Sequence, residues 1–185
     1  MQLTFICVQD RSRVYCVPMF WKQSLKDWIW WRNHVVAPFS EEFTFRACMV
    51  PVLLGYYSHS QAIIISPLFF GVAHFHHMVE RIRKGQDIAT SFLVSVFQFT
   101  YTTIFGMYSA LLFVRTGHFA APFLVHAYCN FMGFPDFGEV INSEPRKRMF
   151  LIAMFVIGAL AFYLLLDEFT SVEWYSNQVY NNNNL

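Results

Sequence analysis

Two adjacent carboxylates and an arginine stand at the mouth of an apolar run, Pro38 to Val50, reading PFSEEFTFRACMV. An ionisable group in such surroundings must be paired, hydrated in a cavity or chemically employed. Two later apolar segments carry polar groups at helical spacing, Phe70-x-x-x-His74 and His126-x-x-x-Asn130. Residues four apart share a helix face, so Glu42 and Arg46 form an i,i+4 pair in the favoured order. Glu41, turned about 100° from Glu42, has no intrahelical cation and is the candidate base. A helix beginning near Ser40 would hold Glu41 ionised at the positive end of its dipole. A carboxylate and a histidine from two helices can bind and deprotonate one water, and a second histidine with an asparagine offers two donors to a developing oxyanion. On that reading Glu41, His74, His126 and Asn130 are the catalytic candidates, with Glu42, Arg46 and Phe70 supporting them. The chemistry is hydrolysis at a carbonyl.

The same residues admit other readings. Glu41, Glu42 and Arg46 could simply close a helix end with an interfacial salt bridge, and an intramembrane His or Asn is often a hydrogen-bonded packing residue. His74, His76, His77 and Glu80 invite a metal, yet no H-E-x-x-H is present, and His74 with His77 would need ligands from other helices. No metal and no cofactor is expected in the catalysis. Cys129 lies three residues from His126, but apolar surroundings disfavour a thiolate nucleophile. A buried Glu/His/Arg relay also suits a proton-coupled transporter, and a non-catalytic membrane scaffold needs none of this chemistry.

The elements that must position these groups are membrane helices. The chain of 185 residues is 56% hydrophobic and 19% aromatic with only 14% charged residues, and its mean hydropathy is +0.36. That is too apolar for an ordinary soluble domain. A net charge of +1, with no basic patch interleaved with exposed aromatics, excludes nucleic acid as a partner class. Cys7, Cys16, Cys48 and Cys129 make no C-x-x-C pair and predict neither a disulfide framework nor structural zinc.

The predicted fold class is all-α, a polytopic transmembrane bundle of about five helices. Residues 1–35, with Trp21, Trp28, Trp30 and Trp31 among charges, read as an interfacial amphipathic lead-in. Residues 36–168 form the bundle. Its spans run about Ser40 to Tyr57, Gln61 to Glu80 with a kink at Pro67, Ile88 to Val114, His118 to Phe134, and Met149 to Leu166. Residues 169–185 are a polar tail, with Asn181 to Asn184 expected to be disordered. If the five spans alternate, eleven of the thirteen Lys and Arg residues fall on one side, which the positive-inside rule makes cytosolic. Glu41, His74, His126 and Asn130 then lie within about 12 Å of that face, in one water-filled cavity. Phe69, Phe70, Phe92, Phe97 and Phe99 are candidates for an apolar groove, although lipid contact or core packing would serve each equally well.

The motifs Glu41-Glu42-x-x-x-Arg46, Phe70-x-x-x-His74 and His126-x-x-x-Asn130, within RNHVVAPFSEEFTFRACM, FFGVAHFHH and FQFTYTTIFGMYSALLFVRTGH, resemble those of the type 2 CAAX prenyl proteases, also called Ras-converting enzymes. The resemblance covers about Trp31 to Phe134. It implies a glutamate-dependent intramembrane endopeptidase of the endoplasmic reticulum, with its active site facing the cytosol. Such an enzyme removes the last three residues from isoprenylated CaaX proteins such as Ras-like small GTPases. By that resemblance Glu41 and His74 activate water, and His126 and Asn130 form the oxyanion site. The sequence departs from the family upstream: members have further membrane helices before the Glu-Glu helix, whereas Met1 here lies about forty residues before it. The corresponding expectation is a fragment, a short isoform or a miscalled start, with an inactive truncated form as the alternative to an active enzyme.

Overall fold

The computed structural model describes residues 18–177, and every element among them is helical. The expected disorder of Asn181 to Asn184, and Cys7, Cys16, Arg11 and Arg13, lie outside the described residues. A short helix α1 (Pro18–Ser24) leads to α2, residues 28–54. Then follow α3 (His59–Ala73), α4 (His76–Arg83), α5 (Ile88–Thr116), α6 (Ala120–Met132), α7 (Phe137–Asn142), α8 (Pro145–Phe169) and α9 (Val172–Tyr175).

Local chemistry sets the helix ends. Asp27 caps α2 by accepting from the Ile29 backbone N–H at 2.9 Å, and Ser58 with Gln61 closes a capping box on α3. Asp87 caps α5 through the backbone N–H and hydroxyl of Thr90, which hold its carboxyl below the usual carboxylate range. Gly117 ends α5 in the left-handed conformation at φ +68°, a backbone state open to glycine at little cost.

The first span does not begin near Ser40. α2 starts at Trp28, so Glu41 lies thirteen residues inside a continuous helix and draws nothing from a helix N-terminus. The physical reason lies in two π-helical stretches, Arg32–Val36 and Phe43–Met49, which precede Pro38 and Pro51. A proline lacks an N–H and crowds the carbonyl four residues back; the widened π turns absorb both effects, so Pro38 does not mark a start. Likewise α3 runs through Pro67 without interruption, and the break falls at His74 and Phe75, between α3 and α4.

The pattern of burial is that of a membrane protein. Ser66, Ser91, Ser95, Thr102, Thr103, Ser109 and Thr116 are buried, whereas Val52, Phe69, Val72, Phe92, Leu93 and Ile104 are exposed. Three helical segments, His59–Arg83, Ile88–Thr116 and Pro145–Phe169, are long and apolar enough to cross a membrane, and the most apolar part of α8 buries nothing within the protein. Without a hydrophobic drive between helices in lipid, close approach of backbones replaces it. A Cβ on Gly106 would stand 2.8 Å from Pro67 Cβ, and one on Gly71 would stand 2.9 Å from the Phe99 ring. These two glycines let α3 and α5 make the most extensive helix contact in the bundle.

Contacts at both ends fix an alternating arrangement. At one end Asn130 of α6 meets Asn33 of α2, Arg81 of α4 meets Ser95 of α5, and Lys147 meets Glu139. At the other, Asn177 donates to the Val114 carbonyl, Arg115 pairs with Asp167, and Val50, Ala110 and Val114 form a buried apolar cluster.

Candidate active site

A cavity of about 750 Å³ opens between α2, α3, α4, α5 and α6, lined by Glu41, Phe70, His74, His77, His126 and Asn130 among others. All four catalytic candidates therefore meet in one space. They do so because α2, α3 and α6 each turn one motif face inward.

Glu42 anchors the floor. It and Arg46 are fully buried, and Arg46 Nε lies 3.1 Å from Glu42 Oε2. Ser109 Oγ donates to the same carboxylate at 2.6 Å, and His126 Nδ1 lies 2.7 Å from Oε1. Arg46 Nη2 also donates to the Gly106 carbonyl at 3.2 Å, with its guanidinium 4.6 Å over the Phe70 ring. A buried carboxylate is tolerated only with such partners. The expected pairing of Glu42 with Arg46 is thus present, and Phe70, 1% exposed, supports it from beneath.

Glu41 is set apart, with its side chain 34% exposed and facing the cavity. Its Oε2 lies 3.7 Å from His126 Nε2. The two carboxylates thus flank one imidazole from opposite sides, Glu42 on Nδ1 and Glu41 on Nε2. Since a carboxylate accepts only, Nδ1 of His126 carries the hydrogen of the 2.7 Å bond.

The same accounting orients His74. Its Nδ1 lies 2.7 Å from the Phe70 carbonyl, so Nδ1 donates and the neutral ring presents the Nε2 lone pair as an acceptor. Phe70 stacks edge-on against the ring at 4.7 Å and holds its plane. Asn130 donates from Nδ2 to the Asn33 carbonyl at 3.0 Å, which leaves the second hydrogen of that amide for a ligand. His126 can donate toward a ligand from Nε2 only when doubly protonated. His126 and Asn130, whose spacing suggested an oxyanion pair, both line the cavity, each with one donor already engaged by the protein.

Several expectations need correction. Phe69, Phe92 and Phe97 point outward, each more than half exposed, and do not line the cavity; Phe99 packs beside Phe75 and Gly71. Phe105, Phe134, Tyr101 and Tyr108 take the lining role instead. His74, His76, His77 and Glu80 do not act as one group: the ligating atoms that come together are those of His76, His77 and Glu80. Cys129 lines the cavity, but both nitrogens of His126 are directed at carboxylates and not at the thiol.

Ser109, Gly106 and Asn33 were missed by sequence reasoning. A signal for the first two exists: Ser91, Ser95, Thr102, Gly106, Ser109 and Thr116 recur at helical period along one face of an otherwise apolar helix, and all are buried.

Fold and site together define a polytopic membrane bundle that holds a carboxylate–histidine centre in an internal cavity. The Type II CAAX prenyl endopeptidase Rce1-like family model matches residues 23–132, and the chain belongs to that family. It is 42% identical over 181 residues to the CAAX prenyl protease 2 of Homo sapiens, covering 96% of this chain and 54% of that protein. To the CAAX prenyl protease 2 of Caenorhabditis elegans it is 37% identical over 147 residues, 79% of this chain and 55% of the relative. The probable CAAX prenyl protease 2 of Schizosaccharomyces pombe is 40% identical over 146 residues, 77% of this chain and 53% of that one. The chain spans about half the length of the curated relatives it matches. No solved structure matches it.

Proposed function

We propose that this chain carries the catalytic centre of an intramembrane endopeptidase that removes the C-terminal aaX tripeptide from isoprenylated CaaX proteins, Ras-like small GTPases among them. The observation that carries the reading is the meeting of Glu41 and His74 in one cavity, each with an acceptor turned inward, while the cation of Glu41's helix, Arg46, is ion-paired with Glu42. A water between them loses its proton to Glu41 while His74 Nε2 orients it, and attacks the scissile carbonyl. The developing oxyanion is met by the free amide hydrogen of Asn130 and by Nε2 of a protonated His126, which Glu41 and Glu42 flank. Glu42 and Arg46 position His126 from beneath the cavity, and Phe70 holds the His74 ring from the cavity wall.

By its family the enzyme belongs in this reading to the endoplasmic reticulum membrane; the cavity opens to the cytosol in it because Arg81, Arg83, Lys84, Arg146, Lys147 and Arg148 fall in the segments at the cavity end. Cysteine-accessibility labelling at residues 81–84 and 146–148 is expected to report both loops as cytosolic; a lumenal loop overturns the sidedness. The activity is tested with membranes carrying this chain and a farnesylated CaaX peptide. Release of the intact tripeptide is expected, and its absence in folded protein overturns the assignment for this chain.

A further inference from the structure

The proposed hydrolysis leaves His76 and Glu80 unused and gives His77 only a place in the cavity wall. These three residues occupy one helical turn at the cavity end of the bundle. Glu80 is four residues from His76 and three from His77, so its carboxylate lies beneath both imidazoles. One ligand atom from each falls within 4.8 Å of the others.

Two details of geometry go beyond proximity. His77 Nδ1 lies 3.5 Å from Glu80 Oε2, too long for a charge-assisted hydrogen bond, which runs about 2.7–2.9 Å. It is instead close to the edge of a tetrahedron around an ion with bonds of ~2.0–2.1 Å, an edge of about 3.4 Å. His76 Nδ1 lies 2.6 Å from the Ala73 carbonyl. A carbonyl only accepts, so Nδ1 bears the hydrogen and Nε2 keeps its lone pair. A backbone carbonyl fixing the tautomer in this way is the usual outer partner of a metal-ligating histidine. The two rings lie with centroids 3.9 Å apart. No second helix has to supply a ligand.

We propose that His76, His77 and Glu80 form a binding site for one divalent transition metal ion of the zinc class at the mouth of the cavity, with water completing the coordination shell. Two imidazoles and one carboxylate suit zinc, cobalt or copper and leave magnesium and calcium poorly served. The ion fixes the His77 ring, whose centroid lies 6.1 Å from that of His74, and through it one part of the cavity wall; neither Glu41 nor His74 is among its ligands. Binding does not depend on the proteolytic reading and is measured without substrate, so the two can fail separately.

The test uses the untagged full chain in detergent micelles, stripped with a chelator and titrated with Co²⁺ by equilibrium dialysis and visible spectroscopy. One equivalent is expected to bind with a d–d absorption band that Zn²⁺ abolishes by displacement. His76→Gln combined with Glu80→Gln, both exposed positions, is expected to weaken binding at least ~100-fold with an unchanged melting temperature. Should that variant not fold, Cu²⁺ bound to the unaltered protein is expected to show electron paramagnetic hyperfine coupling to two imidazole nitrogens. Absence of saturable Co²⁺ binding, binding unaltered in a folded double variant, or coupling to fewer than two nitrogens overturns the site.

Discussion

Ser109 and Ala110 are neighbours on α5, yet they face different worlds. Ala110 closes with Val50 and Val114 into a buried apolar cluster at one end of the bundle. Ser109, one residue earlier and on an adjacent face, donates to Glu42, and with Arg46 and His126 it builds the charged floor of the cavity that opens toward the other end. The same two helices thus seal one end with methyl groups and hold the other open with ion pairs. Apolar packing needs no partner of a given geometry. A buried carboxylate needs all its partners at once, and that requirement fixes the ring of His126 to within a hydrogen bond. Rigidity at the open end therefore comes from electrostatics, and at the closed end from volume.

The largest effect is expected from removing the charge of the floor. Glu42→Gln leaves Arg46 buried beside a neutral amide and leaves His126 Nδ1 facing a group that can turn a donor toward it. Breaking a buried pair of this kind costs about 3–5 kcal/mol. Thermal melting in detergent is expected to fall sharply, and peptide release to fall with folded abundance. An abundant and stable Glu42→Gln protein would show that the open end is not held by this lattice.

Glu41→Gln sharpens the contrast between two adjacent carboxylates. The side chain keeps its shape, is partly exposed and loses only its basicity, so melting is expected to stay within about 0.5 kcal/mol of the parent. Peptide release is expected to drop ~100-fold or more, the usual contribution of a general base. Retained activity in Glu41→Gln together with an inert, stable Glu42→Gln would exchange the two roles.

How far the sequence reveals this division depends on how far apart the partners lie along the chain. Glu42 and Arg46 are legible because four residues separate them, and the pair survives even where the helix widens into a π turn. The His74 and His126 motifs are legible as polar groups spaced within apolar runs. The bond from Ser109 is not, because the small-residue period of α5 shows only that this serine faces inward, and its partner is 67 residues away. The start of α2 is misread for a different reason. Pro38 followed by Ser40 and Glu41 imitates a helix N-terminus, while the true cap, Asp27, precedes a tryptophan cluster that reads as interfacial. The outward Phe69, Phe92 and Phe97 show the limit of composition: with 22 phenylalanines, only the fold decides which of them line the cavity.

At the sealed end, Val50→Ala removes two methyl groups from a fully buried site. The expected loss is about 1–2 kcal/mol, toward the lower figure because the separated helices remain in lipid and only packing is lost. Activity per folded molecule is expected to be unchanged, since neither Val50 nor the residues of its apolar cluster, Ala110, Val114, Leu54, Ile63 and Phe113, line the cavity. A fall in activity without a fall in melting would mean that the two ends are coupled more tightly than their separate chemistries imply.

The smallest effect is expected at Cys129, and it bears on the nature of the nucleophile. The thiol lines the cavity three residues from His126, so position alone does not exclude it. Activation would require a His126 nitrogen to take its proton, yet Nδ1 lies against Glu42 at 2.7 Å and Nε2 faces Glu41 at 3.7 Å. Apolar surroundings act against the thiolate, as they would against any uncompensated anion. Cys129→Ala is therefore expected to release tripeptide within about twofold of the parent and to melt within about 0.5 kcal/mol of it, the range of substitutions that break no named interaction. Thiol alkylation gives the complementary measurement: a bulky adduct at Cys129 fills part of the cavity and slows release in the parent, while the alanine variant is unaffected by the reagent. Inactivity of a folded Cys129→Ala protein would transfer the nucleophile from water to sulfur, and Glu41 would then no longer be the base on which the open end is organised.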